Sequence, residues 1–184
     1  RQMCIRDSYL TYGGLYREVW LEATAESRLT DLFVYTPTLQ EAVVQWTAEL
    51  TPAAAAVRIR LETADGALLA EQTAQAAETG KMQLSVPEAQ PWDTEHPVLH
   101  HAIAELLNAA GQPIDRKQVT FGFRTAEFRA DGFYLNGKKT FLRGLNRHQS
   151  FPYIGYAAPE SLQREDARIL QEELHCTAVR TSHY

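Results

Sequence analysis

The chain has 184 residues, of which 45% are hydrophobic and 22% charged, and a formal net charge of −5. That balance describes a mixed-charge globular protein with room for one large domain, or a small domain plus pieces. It lacks the basic excess of a nucleic-acid binder, and no run approaches the ~20 apolar residues needed to span a bilayer. Neither nucleic acid nor membrane is therefore expected as a partner.

The opening "RQMCIRDS" has no initiator methionine at position 1 and no apolar signal-peptide core. It fits poorly with the pattern that starts at Tyr9, so residues 1–8 are read as foreign sequence. The cytoplasm is the expected compartment. Cys4 and Cys176 lie near opposite ends without metal-ligand spacing and are expected to be free thiols.

From Leu29 to Phe128 the pattern is β. In "VVQWTAEL", Val44, Trp46, Ala48 and Leu50 alternate with Gln45, Thr47 and Glu49. "VRIRLET" alternates in the same way, placing Val57, Ile59 and Leu61 inward. "KMQLSV" and "QVTFGF" contribute Met82, Leu84, Val86, Val119, Phe121 and Phe123. Period-2 runs of this kind predict half-buried antiparallel strands. Turn signals separate them at Thr51-Pro52, Asp65-Gly66, Pro87 and Ala110-Gly111-Gln112. With "DLFVYT", "LLAEQT" and the stretch after Pro97, the count reaches about seven strands, as in an immunoglobulin-like sandwich. The stretch after Pro97 alternates least cleanly, because His100 and His101 interrupt it. Ala53–Ala56 reads as a loop, and Trp46 as core. Trp92 sits in a proline-flanked, linker-like stretch, and nothing in the sandwich pattern singles out a sugar platform.

The pattern changes at Phe128. "GFYLNGKKTFL" predicts a hairpin whose Asn136-Gly137 supplies the two positive-φ residues of a type I′ turn. "FLRGLNRHQ" then runs from an apolar strand into a polar loop. Pro159 and Glu160 open a helix, with proline in its first turn and an acid at the positive end of its dipole. Leu162, Ile169, Leu170 and Leu174 mark its apolar face. "CTAVRT" is a further strand. Strand, helix and strand within ~45 residues predict a βαβ unit with parallel pairing, the start of an α/β domain.

Three polar clusters follow strand ends, where α/β enzymes place their chemistry. They are Arg143 with Asn146, Arg147, His148 and Gln149; Arg180 with Ser182, His183 and Tyr184; and the loop "SFPYIGY" with Phe151, Tyr153 and Tyr156. Taken singly, each histidine reads more readily as a hydrogen-bonded structural residue than as a functional one. Arg143 and Arg147 read as ties from strand ends to carboxylates, and Lys138 and Lys139 as a solvated hairpin tip.

"DGFYLNGKKTFLRGLNRHQSFPYIG", "EDARILQEEL" and "AVRTSHY" closely resemble the first barrel segment of glycoside hydrolase family 2, the β-galactosidases and β-glucuronidases. "TYGGLYREVWLEAT" is similar to the last strand of that family's jelly-roll sugar-binding domain. "PWDTEHPVLH" and "TFGFRTAEF" resemble the end of its immunoglobulin-like domain. Beyond residues 1–8, the resemblance implies a jelly-roll remnant at 9–26, an immunoglobulin-like sandwich at 27–128, and the first βαβ segment of a truncated (β/α)8 TIM barrel at 129–184.

It also implies a retaining exo-glycosidase acting on terminal β-D-galactosides or related oligosaccharides, homo-oligomeric at full length. A β-glucuronidase of the same family is the near alternative, and a non-catalytic carbohydrate- or partner-binding sandwich module the distant one. His148 and His183 match sugar-pocket histidines, and Arg180 matches an arginine that organises the catalytic carboxylates. Asn146 and Arg147 belong to the same pocket-wall motif, and Tyr184 closes it. The family's acid/base and nucleophile come from later barrel strands. The resemblance therefore predicts no catalytic carboxylate in this chain, no cofactor, and an inactive fragment. Ligands for Mg²⁺ or Na⁺, used by some family galactosidases, are likewise expected beyond Tyr184.

Overall fold

The computed structural model describes residues 14–181. Residues 22–140 form one compact unit, and residues 14–21 with 141–181 form another. No described helix is long and apolar enough to cross a membrane.

Seven strands build the first unit: β1 (Arg28–Thr38), β2 (Glu41–Glu49), β3 (Ala56–Thr63), β4 (Leu68–Gln75), β5 (Thr79–Ser85), β6 (His100–Leu107) and β7 (Pro113–Phe121). They pair antiparallel into a three-stranded sheet, β1-β2-β5, and a four-stranded sheet, β4-β3-β6-β7. The expected alternation holds where it was clearest. Val44, Trp46 and Ala48 of β2, Val57, Ile59 and Leu61 of β3, and Met82, Leu84 and Val86 all enter one core with Phe123. Of Ala53–Ala56, read as a loop, the first three residues are one and Ala56 already opens β3.

Opposite Trp46 lies Gly80, where an added Cβ would meet the indole at 2.2 Å. The missing side chain is what lets the ring lie flat across β5. Where β1 and β7 meet, side chains close the sandwich edge. Asp115 Oδ2 accepts the Leu29 N–H at 2.6 Å, and Lys117 Nζ donates to Thr30 O at 2.7 Å.

β6 loses its alternation because it is covered on both sides. Ile103 and Glu105 point away from the core yet are buried. Arg58 Nη2 pairs with Glu105 Oε2 at 2.7 Å, and the long stems of Arg58 and Arg60 cover this outer face. His100 is buried against Phe121 and Phe123, edge-on to the second ring at 5.0 Å. Burial first, and the charge of His101 second, lower its pKa from the ordinary 6.5.

Three short strands follow: β8 (Ala126–Arg129), β9 (Gly132–Leu135) and β10 (Lys138–Lys139), an antiparallel meander. Asn136 and Gly137 have φ of 53° and 75°, the expected type I′ geometry. By its contacts this hairpin packs against the end of the sandwich. Asn136 explains why. Its backbone N–H donates to Thr125 O, its Oδ1 accepts the Thr125 N–H, and its Nδ2 donates to Trp92 O. Trp92, read as part of a linker, is itself anchored. Its N–H bonds to Phe123 O, and its ring covers Gly122 beneath the Arg124 guanidinium.

In the second unit, β11 (Gly144–Arg147) and β12 (Ala178–Thr181) pair in parallel, joined through helix α1 (Glu160–Arg168). This is the expected βαβ unit. The helix starts after Pro159 with Glu160 in its first turn. It does not run straight to Leu174. Residues Ile169–Glu173 widen into a π-helical turn, in which the Leu174 N–H reaches Ile169 O at 3.0 Å. The wider turn shifts Leu174 off the apolar stripe, and Leu174 is exposed. His175 then adopts φ 50°, and the Cys176 N–H closes the helix end on Leu170 O. Cys176 is a free thiol; Cys4 lies outside the described residues. Residues 14–26, expected as the last strand of a jelly roll, pair with no strand among the described residues. Such a strand takes its ladder partners from its own sheet.

Candidate functional site

The register of β11 and β12 decides which candidates share a face. Gly144 pairs with Ala178, Leu145 with Val179, Asn146 with Arg180 and Arg147 with Thr181. Alternation puts Asn146 and Arg180 side by side on one face, about 4.8 Å apart in the hydrogen-bonding direction. Gly144 precedes them on that face. A Cβ there would lie 2.3 Å from Ala178 O, so any larger residue would push the strands apart just below the pair.

Arg147 faces the other way, towards α1. Its guanidinium donates to Asp166 Oδ2 from Nε at 2.9 Å and from Nη2 at 2.8 Å, and Nη2 also donates to Gln163 Oε1. The alternative reading of Arg147, as a tie between strand end and carboxylate, describes this contact. Asn146, Arg180 and His148 are solvent-exposed, and His148 follows directly on β11. His183 and Tyr184 lie outside the described residues.

The segment after His148 is held from the N-terminal side. Arg17 Nη1 donates to Ala158 O at 3.3 Å, and Nη2 to Gln149 Oε1 at 3.2 Å. Between these anchors Phe151 and Gly155 exchange two backbone hydrogen bonds. Tyr153 sits at the tip of that loop, with φ 69° and its ring fully exposed. Arg17 is a contact that sequence reading did not single out. Its signal was only its place inside the "GGLYREV" element. Gln163 was not singled out in the sequence either.

The acids after His148 all engage arginines. Glu160 accepts from Arg164 Nε at 2.9 Å, and Asp166 holds Arg147. Glu165, Glu172 and Glu173 surround Arg168 at 2.7, 3.1 and 2.8 Å. The hydrogen bond from Arg168 holds the Glu165 pKa below its ordinary value. That is the opposite of what a general acid at neutral pH requires. Among the described residues no three His, Cys, Asp or Glu side chains are grouped as metal ligands.

The arrangement offers an amide, a guanidinium and an imidazole at the carboxyl end of adjacent parallel strands, groups suited to sugar hydroxyls and carboxylates. Residues 27–124 match the family model "Glycosyl hydrolases family 2", and residues 126–184 match "Glycosyl hydrolases family 2, TIM barrel domain". A β-galactosidase of Thermoanaerobacter pseudethanolicus is 36% identical over 185 residues, covering 96% of this chain and 25% of that enzyme. A putative β-glucuronidase of Formosa agariphila is 31% identical over 187 residues, covering 97% of this chain and 22% of that protein. Among solved structures, Bifidobacterium dentium β-glucuronidase, complexed with coumarin-3-O-glucuronide, superposes with a TM-score of 0.79 at 26% identity. That match covers 87% of this chain and 28% of that one. The chain thus spans about a quarter of the length of the relatives it matches. An immunoglobulin-like sandwich followed by the opening strands of a TIM barrel, matched along nearly its whole length, makes this chain a member of glycoside hydrolase family 2.

Proposed function

We propose that the chain is part of a retaining exo-glycosidase that removes terminal β-D-galactosyl residues, and that it supplies one wall of the sugar pocket. The observation that carries this reading is the in-register pair Asn146 and Arg180 on the face opposite α1, with His148 at the same strand end. Asn146 and His148 hold hydroxyls of the terminal sugar. Arg180 orders the catalytic carboxylates. His183 and Tyr184 complete the wall on the ground of their place in "RTSHY". Arg147 is a positioning residue: by gripping Asp166 it fixes β11 against α1, and with it the direction of Asn146.

A retaining glycosidase needs two carboxyl groups about 5 Å apart, one of them protonated at working pH. The acids of α1 and its π-helical turn are ion-paired with arginines. We therefore assign neither catalytic carboxylate to them. The galactoside preference draws on the 36% identical β-galactosidase, and the β-glucuronidase reading on the Formosa relative and the Bifidobacterium structure.

The test is a chimera in which residues 27–181 replace the aligned segment of the Thermoanaerobacter β-galactosidase. It should hydrolyse p-nitrophenyl β-D-galactopyranoside in preference to the β-D-glucuronide. His148→Ala should lower kcat/KM by about 100-fold, the size of one lost transition-state contact. A folded chimera that prefers the glucuronide would overturn the substrate. One indifferent to His148→Ala would overturn the site.

A further inference from the structure

The outer face of the three-stranded sheet carries an arrangement that only the register reveals. Asp31 pairs with Thr47 and Thr47 with Thr79; Phe33 pairs with Gln45 and Gln45 with Lys81; Tyr35 pairs with Val43 and Val43 with Gln83. Three rows across three strands make a patch about 10 Å by about 14 Å. Within it lies a groove of about 370 Å³, whose lining includes Asp31, Phe33, Gln45, Thr47, Thr79 and Lys81, with Trp46 and Gly80 at its floor and edge strand. The Phe33 ring is 55% exposed, and Tyr35 lies beside it with ring centroids 6.1 Å apart.

Among the described residues, no ion pair or side-chain hydrogen bond engages Asp31, Gln45, Thr79 or Lys81. Thr47 is bonded only to the Thr30 hydroxyl, at 2.8 Å. One carboxylate, one ammonium, one amide and a free hydroxyl thus stand unpaired around an exposed aromatic ring.

We propose that this groove is a non-catalytic binding site for a neutral pyranoside. A sugar ring has an apolar C–H face, which stacks on Phe33, and a rim of hydroxyls that both donate and accept. Asp31 accepts from such a rim, Lys81 donates to it, and Gln45 and Thr79 do both. The two formal charges cancel, so the lining favours a neutral sugar over a uronate. Because the polar groups are hydrated when empty, binding exchanges water for hydroxyl at little desolvation cost. The volume falls in the range of small-ligand pockets, roughly 300–1,000 Å³. The patch is far below the ~1,000 Å² expected of a specific protein interface. The site lies wholly in the sandwich and does not depend on the hydrolase reading.

Nitrogen-15 amide spectra of the whole chain, titrated with methyl β-D-galactopyranoside, β-1,4-galactobiose and methyl β-D-glucuronide, test it. Both neutral sugars should shift the amides of Asp31, Phe33, Gln45, Thr79 and Lys81, and the glucuronide should bind more weakly. Phe33→Ala should raise Kd by about tenfold, as loss of a central aromatic anchor does. Lys81→Ala provides a second, milder loss, and Phe128→Ala, at an exposed ring outside the groove, should change nothing. Either of two results overturns the proposal: no shift at these amides up to the solubility limit of the neutral sugars, or an unchanged Kd in Phe33→Ala. Concentration-dependent broadening of the same amides without sugar would assign the face to a second copy instead.

Discussion

The sandwich and the βαβ segment follow the same local rules and end in different states. In the sandwich, seven strands converge on one core, and Phe123, Ile59, Leu61 and Val57 are fully buried. In the βαβ segment the rules are obeyed as well: parallel register, a helix with an acidic first turn, a capped helix end. Yet neither α1 nor its π-helical turn buries a residue, and Leu145 and Val179 remain about half exposed. Local signals are enough to specify an element. Burial requires a second surface, which parallel strands obtain only when both faces of their sheet are covered.

The strongest way to break this contrast is to delete one large side chain from each region. Phe123→Ala should cost the sandwich about 3–5 kcal/mol, a cavity penalty read as a lower urea midpoint. Leu145→Ala should cost under about 1 kcal/mol, because half of its surface is already wet. Equal losses would mean that the βαβ segment has a core of its own. Amide exchange sharpens the same comparison: β3 and β6 should exchange only through global unfolding, and β11, α1 and β12 through local opening.

A smaller effect should come from His100. Its pKa is lowered in the fold, so the unfolded chain binds the extra proton first. Stability is therefore complete above the ordinary value of 6.5 and declines as pH falls below it. The slope corresponds to about 1.4 kcal/mol for each pH unit between the two pKa values. His100→Phe should remove it, as measured by thermal melts from pH 7.5 downwards. The smallest change is expected from His175→Gly, which relieves a φ of 50° at the helix end and should stabilise that end by about 0.5–1 kcal/mol. Helicity of the segment by circular dichroism would report it.

Much of the fold was legible because it rests on short-range patterns: period-2 runs, the Asn136-Gly137 turn, and Pro159-Glu160 at a helix start. What escaped reading depends on side chains meeting across the chain. The orientation of Arg147 is settled by Asp166, nineteen positions away, and the motif "NRH" alone does not say which of its members faces the helix. His100 shares its face of β6 with Ala102, Ala104 and Leu106, so it is buried by the alternation itself, which its polar side chain and the burial of Ile103 and Glu105 on the other face disguised. The π-helical turn leaves no mark in the apolar spacing of Leu162, Ile169 and Leu170. The rows on the outer face of β1, β2 and β5 exist only once register is known. By contrast, the placement of Asn146 and Arg180 at adjacent strand ends could be expected from the resemblance, and it is what the parallel register delivers.

Asn136 carries a consequence for which substitutions this region can accept. As a turn residue it has near-synonyms: Gly or Asp meets the positive-φ demand about as well. As a partner of Thr125 and Trp92 it has none, since only a carboxamide of that length offers an acceptor to one and a donor to the other. Two independent requirements intersect in a single letter of the alphabet. Drift at this site is therefore closed even though each requirement taken alone would leave it open.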